Sequence, residues 1–540
     1  MRYSYITIVR AITVTEMYTI DRNCEYIGIP RRILMENAGK EVARYIINEF
    51  PDKRRITVVA GLGDNGGDGA VAARYLHESD REVRLVVLGR IDDSRSEIAR
   101  ENFRIARLLG VETYEVTTVF ELYAIMDIIV TWPDIIVDAV LGTGIRGALR
   151  DLQYNAIRLM NMSKATKVCV DVPSGLDPDT GQVRDIAVKG DVTITMHRPK
   201  IGLTRIDAEK YVGKLVVADI GIPREAEHIV GPGDLIYLKW QRKRESKKGD
   251  HGRVVIVGGS DEFAGAPALA ALTAFRLGVD IVTVISPRSA AHDIRSQTPN
   301  LIVIPVEGRY FTEEHVDIVY QYCTRADVIL IGPGISTRET TMSFTARLFE
   351  KLVETGRRVV VDADGIKALA THDLTNKIGK NVIVTPHARE YSLLLKAELP
   401  RAGNPWKRGE EVARQVAEKC SGGTVLLKGN IDIITDGETW KINMTGNPGM
   451  TVGGTGDVLS GAVTALCTKC DSAFHAACIA SFIVGLAGDL AVRDLGYHIL
   501  PTDVIERIPT VMRRLLSENV EIERALHYTS RGLMKALDLY

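Results

Sequence analysis

The sequence predicts an α/β protein made of two doubly wound domains, each built around a mostly parallel sheet. The chain has 540 residues, and a single hydrophobic core stops growing near about 250–300 residues, so two cores are expected. Short, almost wholly apolar segments alternate with helical patterns in both halves of the chain. Strands that are apolar on both faces are typical of parallel sheets, because helices cover each face. Glycine-rich loops next to these patterns fit the same architecture.

In the first half, five apolar segments are expected as strands and four segments between them as helices. The strands are expected at residues 56–60, 83–88, 135–141, 167–171 and 192–195. The helices are expected at residues 70–77, 94–109, 120–129 and 152–160. This alternation favours one parallel sheet with helices on both faces.

The second half repeats the alternation after a break in the pattern. Strands are expected at residues 253–257, 280–286, 326–331, 358–362, 381–385 and 424–428. Helices are expected at residues 266–277, 456–466 and 473–492. The expected organisation is a first domain at 1–225, a linker at 226–248, a second domain at 249–515 and a charged helical tail at 516–540. The basic run at 239–248 fits a solvated linker better than a nucleic-acid patch.

Composition and charge exclude several classes of function. The net charge is −1, so a general affinity for nucleic acid or for an anionic membrane is not expected. No run reaches the roughly 18 apolar residues of a membrane span, and the first ten residues do not form a signal peptide. The seven cysteines lack the spacing of a disulfide framework, which favours a reducing cytoplasm. Cys467 and Cys470 form a lone CxxC, a weak indication of metal or redox chemistry.

A first candidate site lies where strands of the first half end. The glycine-rich run 61–69 joins a strand to a helix, and backbone N–H groups at a helix N-terminus bind anions. Asp138 and Asp171 lie at the ends of two further strands, and ligands of open parallel sheets bind at this edge. Capping aspartates and turn glycines are the alternative for any one of these loops, but three such loops together favour a ligand site.

The oxygen-bearing side chains of this site suggest a cation and acid–base chemistry. Asn65, Asp138 and Ser174 offer hard oxygen ligands with a single full carboxylate, which suits a weakly held cation better than zinc. The remaining acids, Asp68 and Asp171, are candidates for acid–base catalysis or for binding ligand hydroxyls.

These motifs resemble the NAD(P)H-hydrate epimerase family over about residues 10–225, which implies a Rossmann-like fold. The resemblance rests on the runs at 65–69, 137–144 and 171–175. It implies that the damaged cofactor contacts Asp64, Asn65, Gly66, Gly67, Asp68, Gly142, Thr143, Gly144, Ile145, Arg146, Gly147, Ala148 and Asp171. It also implies a potassium ion on Asn65, Asp138 and Ser174. The family usually has asparagine where this chain has Asp64, and an extra carboxylate near a phosphate-binding loop needs a compensating charge or solvent.

A second candidate site lies in the glycine-rich run 447–457, which leads directly into an apolar helix. The N-terminal N–H groups of that helix would point at a phosphoryl group. Asp457, in the first helical turn, would act as a base toward a substrate hydroxyl. An ordinary first-turn acid is the alternative, but the density of glycine favours a site. No Gly-Lys-Ser/Thr follows, so the run is not a P-loop.

This second half resembles the ribokinase-like superfamily, and within it the ADP/ATP-dependent NAD(P)H-hydrate dehydratases, over about residues 235–510. The supporting motifs are the runs at 248–260, 264–267, 332–334, 362–364, 385–390 and 427–429. The resemblance implies hydrate contacts at Ala266, Gly334, His387 and Asp457. It implies nucleotide contacts at Lys428, Gly429, Asn430, Ile431, Asp432 and Gly456. The family often has threonine where this chain has Asp432.

Together the resemblances imply a bifunctional enzyme that repairs hydrated NAD(P)H. The first domain would interconvert the two epimers at C6, and the second would dehydrate the S epimer, giving AMP and phosphate from ADP. The implied cofactors are potassium in the first domain and magnesium with ADP or ATP in the second. The expected partners are these small molecules, with no nucleic acid or membrane and with a possible homo-oligomer. The alternative is a ribokinase-like small-molecule kinase with a non-catalytic N-terminal binding domain.

Overall fold

The computed structural model describes residues 10–144, 148–401 and 403–516. The chain divides into two compact units, Met1–Pro223 and Arg224–Tyr540. The first contains a seven-stranded sheet and the second a nine-stranded sheet. Both sheets are mainly parallel and carry helices between their strands, which confirms the predicted α/β class.

In the first unit, seven parallel strands follow one another in the order β3-β2-β1-β4-β5-β6-β7. The strands are β1 Arg55–Ala60, β2 Glu82–Leu88, β3 Glu112–Val116, β4 Ile135–Ala139, β5 Thr166–Val170, β6 Val192–Met196 and β7 Lys214–Ala218. The helices are α1 Val14–Tyr26, α2 Arg31–Glu49, α3 Asp64–Glu78, α4 Glu97–Leu108, α5 Val119–Ala124, α6 Met126–Val130, α7 Asp151–Met162 and α8 Glu209–Val212. The chain adds β2 and β3 on one side of β1 and then β4 to β7 on the other, so the strand order reverses between β1 and β4. The loops after these two strands flank a crevice where doubly wound sheets bind ligands.

The second unit repeats this plan and extends the sheet with two antiparallel strands. Its strand order is β10-β9-β8-β11-β12-β13-β14-β15-β16, with antiparallel pairing only from β14 onward. The strands are β8 Arg253–Val257, β9 Ile281–Pro287, β10 Ile302–Val306, β11 Val328–Ile331, β12 Arg358–Val361, β13 Val382–Val384, β14 Thr424–Leu427, β15 Asp432–Thr435 and β16 Trp440–Asn443. The helices are α9 Gly265–Arg276, α10 Arg288–Ser296, α11 Val316–Cys323, α12 Glu339–Val353, α13 Asp364–Thr371, α14 Ala388–Leu395, α15 Pro405–Lys419, α16 Thr455–Leu466, α17 Ala473–Leu495 and α18 Pro501–Leu516.

Helix α17 is the apolar centre of the second unit. Among the described residues it alone is long and apolar enough to cross a membrane, and 72% of its most apolar window is buried inside the protein. Core helices of this kind are hydrophobic all round because neighbouring elements cover every face. Gly488 packs beneath the loop that precedes α16, because a Cβ there would lie 2.1 Å from the sulfur of Met450. Helix α17 therefore supports the second glycine-rich run.

The stretch expected to be a linker at 226–248 is folded in its first half. Residues 224–228 and 232–237 form short 3-10 helices that belong to the second unit. The ring of His228 stacks on Trp440 with centroids 3.8 Å apart, and buried Asp234 pairs with Lys441 on β16. Only the basic run at 239–248 is mostly exposed, as expected of a solvated segment. In the expected tail, residues 517–540 lie outside the described residues.

The Asp234–Lys441 pair leads to a prediction about stability. The side chains are only 1% and 11% exposed, so removing Lys441 takes the ammonium partner away from a buried carboxylate. We expect Lys441→Met to lower the free energy of unfolding of the second unit by about 3–5 kcal/mol. Denaturant titration of wild type and variant measures this difference. Equal unfolding midpoints would show that the pair contributes nothing to stability.

Candidate active sites in the two units

The glycine-rich run after β1 is compact because its glycines allow close backbone contacts. A Cβ on Gly61 would lie 2.1 Å from the carbonyl oxygen of Val140, and one on Gly66 would lie 1.8 Å from the carbonyl oxygen of Gly61. Helix α3 begins at Asp64, earlier than the expected residue 70. The residues expected to form a loop, 65–69, therefore build the first turns of the helix. The Gly67 N–H donates to the Gly63 carbonyl, so the N–H groups without a helical partner lie before it.

The unusual acid of this loop, Asp64, has a cationic partner. The Arg31 Nη2 atom lies 2.6 Å from one carboxylate oxygen, and the Ser96 hydroxyl donates to the other at 2.6 Å. Both members of the ion pair are about half exposed, so solvent also screens the charge. Arg31 on α2 and the solvent therefore offset the negative charge of Asp64, as the sequence analysis required.

Three oxygen-bearing side chains meet behind this helix terminus. Asp138, at the end of β4, is fully buried and accepts hydrogen bonds from the Ser174 hydroxyl at 2.6 Å and the Ser174 N–H at 2.8 Å. The Leu141 N–H donates to the Ser174 hydroxyl oxygen, and a Cβ on the next residue, Gly142, would lie 3.1 Å from Asn65 Cγ. The structure therefore brings together the residues expected to hold potassium.

The electrostatics of this cluster favour a cation. Burial raises the pKa of Asp138, while hydrogen bonds from Ser174 oppose that shift. Among the residues that the structure describes, no cationic side chain pairs with Asp138. The side-chain nitrogen of Asn65 is buried there without a hydrogen-bond partner, and such orphaned polar atoms indicate an additional ligand or water.

Asp171 is held in a constrained geometry directly after β5. Its φ is +62°, a left-handed conformation that is uncommon outside glycine and is concentrated at functional sites. The Oδ1 atom accepts hydrogen bonds from the Met196 N–H at 3.1 Å and the Thr195 hydroxyl at 3.2 Å. The ammonium group of Lys200, a fully buried residue, also contacts Oδ1. This anchoring fixes the carboxylate at the edge of the sheet.

Two further carboxyl groups near Asp171 favour their protonated forms. The pKa of Asp68 is raised well above its usual range, first by burial and then by the charge of Asp171. The pKa of Asp21, on α1, is raised to about 7, mainly by burial, although Lys200 opposes the shift. Asp171 contacts an ammonium group, whereas burial raises the pKa values of Asp68 and Asp21. Such differences between neighbouring carboxyl groups allow one to act as an acid and another as a base.

The loop after β4 is described only at its two ends. Thr143 and Gly144 form a turn, and Gly144 and Ala148 are exposed. Ile145, Arg146 and Gly147 lie outside the described residues. The described part of this loop borders the crevice beside α3, where it was expected.

In the second unit, the run 447–457 ends in the N-terminus of α16. Gly454 precedes the helix with a φ of +101°, and Asp457 lies in the first turn. Asp489 on α17 accepts hydrogen bonds from the Gly446 N–H at 3.2 Å and the Asn447 side-chain nitrogen at 2.9 Å. These contacts fix the first end of the loop, and the Thr455 hydroxyl fixes the other by donating to the Met450 and Val452 carbonyls at 2.8 and 3.0 Å. The unpaired N–H groups at the start of a helix can bind an anion.

Asp457 belongs to a charged cluster at the carboxyl ends of β12 and β14. The Lys428 ammonium group donates to Asp362 Oδ1 at 2.8 Å, and the Thr385 hydroxyl donates to the same oxygen at 2.7 Å. A Cβ on Gly456 would lie 3.5 Å from Lys428 Nζ, so the ammonium group faces the first turn of α16. Burial, and then the charge of Asp362, raise the pKa of Asp457 to about 7, while Lys428 opposes the shift.

His387 caps α14 and lies beside this cluster. Its Nδ1 accepts the N–H groups of Arg389 and Glu390 at 3.2 and 3.3 Å. The other ring nitrogen, Nε2, lies 3.4 Å from Glu390 Oε1, and the side chain is 51% exposed. The Lys428 N–H donates to the Pro386 carbonyl at 2.8 Å, which aligns His387 with Lys428.

The remaining expected contacts lie at three strand ends. Gly334, after β11, has a φ of +63°, and a Cβ there would lie 3.3 Å from that of Ala266 on α9. Gly429, Asn430 and Ile431 form the turn between β14 and β15. Asp432 closes this turn by accepting the Gly429 N–H at 3.1 Å. In the structure Ala266 therefore lies next to Gly334. Lys428 lies next to both His387 and Gly456, in a second group.

Comparison with known proteins identifies the family. A family model described as YjeF-related protein N-terminus matches residues 31–202, and one described as NAD(P)H-hydrate dehydratase matches residues 254–510. The bifunctional NAD(P)H-hydrate repair enzyme Nnr of Pyrobaculum aerophilum is 49% identical over 94% of this chain and 99% of its own length. The chain belongs to the bifunctional NAD(P)H-hydrate repair enzyme family. The repair enzyme of Methanothermobacter thermautotrophicus is 41% identical over 92% of this chain and 94% of its own length. Among solved structures, a ribokinase-like superfamily protein of Enterococcus faecalis is 25% identical, covering 53% of this chain and 96% of its own, with a TM-score of 0.47.

Four residues beside the two sites of this repair-family member were not predicted as site residues from the sequence. Three of them were missed, and the fourth was given no role. Asp21 lies on α1, a helix that was not expected. Lys200 lies four residues after the end of β6, and its position at the carboxyl edge of the sheet was an available signal. Asp489 is a carboxylate on the largely buried helix α17, and a buried charge without a partner is rare. Asp362 was noted only as part of a family motif.

The cysteines of this repair-family member do not form a metal or redox site. All seven are free and buried. Burial raises the pKa of the Cys467 and Cys470 thiols to about 12, so both stay protonated at neutral pH. Reactive cysteines need a lowered pKa and access to solvent. The CxxC pair is therefore a packing feature at the end of α16.

Proposed function

We propose that the first unit interconverts the two C6 epimers of hydrated NAD(P)H and that the second dehydrates the S epimer with ADP or ATP. Family membership over nearly the whole chain supports both activities. The observation that carries the dehydration is Asp457, a carboxyl group with a pKa of about 7 at a glycine-rich helix N-terminus. A general base works best when its pKa lies near the working pH.

The proposed epimerisation uses the chemistry of the hydrate itself. C6 carries a hydroxyl and is bonded to ring nitrogen N1, so it can open to an aldehyde and close again. The Asp171 carboxylate takes the hydroxyl proton as the C6–N1 bond breaks, and the bond's electron pair stays on N1. Asp68, whose raised pKa keeps it protonated, donates a proton to N1. Rotation and reclosure on the other face give the opposite epimer.

The proposed binding of the hydrate in the first unit uses the N-terminus of α3 and the loop after β4. The phosphates would lie against the N–H groups of the helix, with Arg31 offsetting the Asp64 charge. The proposed contacts are Asp64, Asn65, Gly66, Gly67, Asp68, Gly142, Thr143, Gly144, Ile145, Arg146, Gly147, Ala148 and Asp171. These positions come from the family resemblance.

A potassium ion fits the residues behind this site. Asn65, Asp138 and Ser174 would hold it, because they offer oxygen donors around a buried carboxylate that lacks a cation among the described residues. The ion would supply a fixed positive charge that ties the loops after β1, β4 and β5 together. The orphaned amide of Asn65 supports the assignment, since its oxygen would turn toward the ion.

The potassium proposal gives a prediction that does not depend on activity. We expect KCl to stabilise the first unit of the wild type relative to choline chloride, by about 2–3 kcal/mol at a hundred times Kd. Asp138→Asn removes the only full charge of the donor set, so most of this gain should disappear. Thermal unfolding at equal ionic strength measures both proteins. An unchanged potassium response in Asp138→Asn would contradict the assignment.

The proposed dehydration begins with phosphoryl transfer to the C6 hydroxyl. Asp457 takes the hydroxyl proton, and the oxygen attacks the terminal phosphorus of ADP or ATP. Lys428 and the N–H groups at 453–456 stabilise the charge on the transferring group. The lone pair of N1 then expels phosphate, and loss of a proton from C5 restores the double bond. With ADP the products are NAD(P)H, AMP and phosphate.

Binding at the second site is proposed for two sets of residues. The hydrate would contact Ala266, Gly334, His387 and Asp457, with His387 donating from Nε2. The nucleotide would contact Lys428, Gly429, Asn430, Ile431, Asp432 and Gly456. Because the Asp432 carboxyl closes its own turn and burial raises its pKa to about 6, the backbone of this turn is the better nucleotide contact.

Magnesium is proposed to accompany the nucleotide. Within the described residues, no three His, Cys, Asp or Glu side chains form a metal cluster. That fits an ion held mainly by phosphate oxygens, as magnesium often is. Its chemistry would be neutralisation of phosphate charge. A cytoplasmic location and a homo-oligomer stay predictions.

Product analysis tests this proposal against the kinase alternative. Purified S hydrate is incubated with ADP and magnesium, and phosphorus NMR follows the terminal phosphate. Inorganic phosphate and NAD(P)H in equal amounts are expected. A stable phosphate ester without NAD(P)H would favour a small-molecule kinase instead.

A further inference from the structure

Lys200 is a fully buried lysine whose contacts all lie inside the protein. Its ammonium group donates to Asp171 Oδ1, to the Thr195 hydroxyl at 3.2 Å and to the Met196 carbonyl at 3.1 Å. An ammonium group has three protons, so these contacts use all of them. Lys200 therefore has no donor left for a ligand, and any role in the reaction must pass through Asp171.

The contacts of Asp171 are asymmetric. The Met196 N–H, the Thr195 hydroxyl and Lys200 all contact Oδ1. Among the described residues, no hydrogen bond reaches Oδ2, and the side chain is 13% exposed. One oxygen is therefore an anchor, and the other is available to a substrate proton.

Two other carboxyl groups interact with the charge of Asp171. They are Asp21 on α1 and Asp68 on α3, and Lys200 after β6 opposes the effect of that charge on both. Arg31 pairs with Asp64, whereas Lys200 contacts Asp171. An ammonium group in contact stabilises the charged form of a carboxylate. Without Lys200, the neighbouring carboxyl groups would favour a proton on Asp171.

We propose that Lys200 is a positioning residue that makes Asp171, rather than Asp68, the base of the epimerisation. It anchors Oδ1, directs Oδ2 to the C6 hydroxyl and offsets the neighbouring acids. Asp68, which has no cation in contact among the described residues, is then the acid. This inference rests on the proposed epimerase function and adds the division of roles between the two acids.

A double-mutant cycle tests the inference. Lys200→Met is expected to lower the epimerisation kcat about tenfold to a hundredfold near neutral pH, within the range of general-base catalysis. The acid limb of its rate profile should move to higher pH, because Asp171 loses the ammonium group in contact with it. In an Asp171→Asn background, the same change should have no further effect, since its target is already neutral. The double variant also avoids leaving an unpaired buried charge.

Two more variants keep the test decisive. Thr195→Val removes another Oδ1 donor without removing charge, and it should lower kcat with little change in KM or in the pH profile. Lys441→Met breaks a buried lysine–aspartate pair in the other unit and should leave epimerisation unchanged. A native kcat in Lys200→Met, or equal losses in both Asp171 backgrounds, would overturn the inference. Absence of epimerisation in the wild type would instead overturn the proposed function.

Discussion

Asp457→Asn should lower the dehydration rate by about 10²–10⁴-fold, the usual contribution of a general base. The amide keeps the size of the side chain but cannot accept the proton of the C6 hydroxyl. Epimerisation should continue at the wild-type rate, because the first unit contains its own carboxyl groups. The rates are measured by NAD(P)H formation from the S hydrate and by chromatographic separation of the two epimers.

The pH dependence of the dehydration rate is a second test of the role of Asp457. Because the base must be deprotonated and burial raises the pKa of Asp457 to about 7, wild-type dehydration should rise with pH through neutrality. Asp327→Asn is a matched control, since Asp327 accepts the Arg253 N–H at the opposite end of β8. Its dehydration rate should equal that of the wild type. If the Asp457→Asn variant dehydrated the S hydrate at the wild-type rate, Asp457 could not be the base.

Asp171→Asn should have the complementary effect. Epimerisation should fall by about 10²–10⁴-fold, because the amide cannot take the hydroxyl proton that opens the ring. Dehydration of the pure S hydrate should be unchanged. Starting from the pure R hydrate, the variant should form NAD(P)H only at the slow rate of spontaneous epimerisation.

A control for this variant is available at the other end of the same sheet. Asp191 accepts the Lys167 N–H at 2.8 Å, near the start of β5 and far along the strand from Asp171. Asp191→Asn should keep wild-type epimerisation. If Asp171→Asn epimerised as fast as the wild type, Asp68 or Asp21 would have to be the base.

The sequence predicted the parts of the fold that depend on continuous apolar strands. Strands β1, β4 and β5 lie within two residues of their expected bounds, because parallel strands that are buried on both faces are mostly apolar. The ends of these strands then place Asp138 and Asp171 at one edge of the sheet. Asp457 was expected in a first helical turn and is found there.

Tertiary contacts explain what the sequence could not predict. Glycine has a low helix propensity, so the start of α3 at Asp64 was not expected, and the turn exists because Gly66 fits against the backbone of Gly61. The segment at 226–238 has turn composition, and its order comes from partners such as Lys441 more than 200 residues away. The proposed role of Lys200 could not be predicted either, because it depends on a contact with Asp171, which follows the neighbouring strand β5.

Recovery of NAD(P)H absorbance from a mixture of both hydrate epimers, with ADP, magnesium and potassium present, tests the central claim most directly. Two active sites in one chain predict full recovery, because epimerisation supplies the S epimer as dehydration consumes it. Recovery that stops at the S share, apart from slow spontaneous epimerisation, would contradict the proposed role of the first unit. No recovery with either ADP or ATP would contradict the whole account.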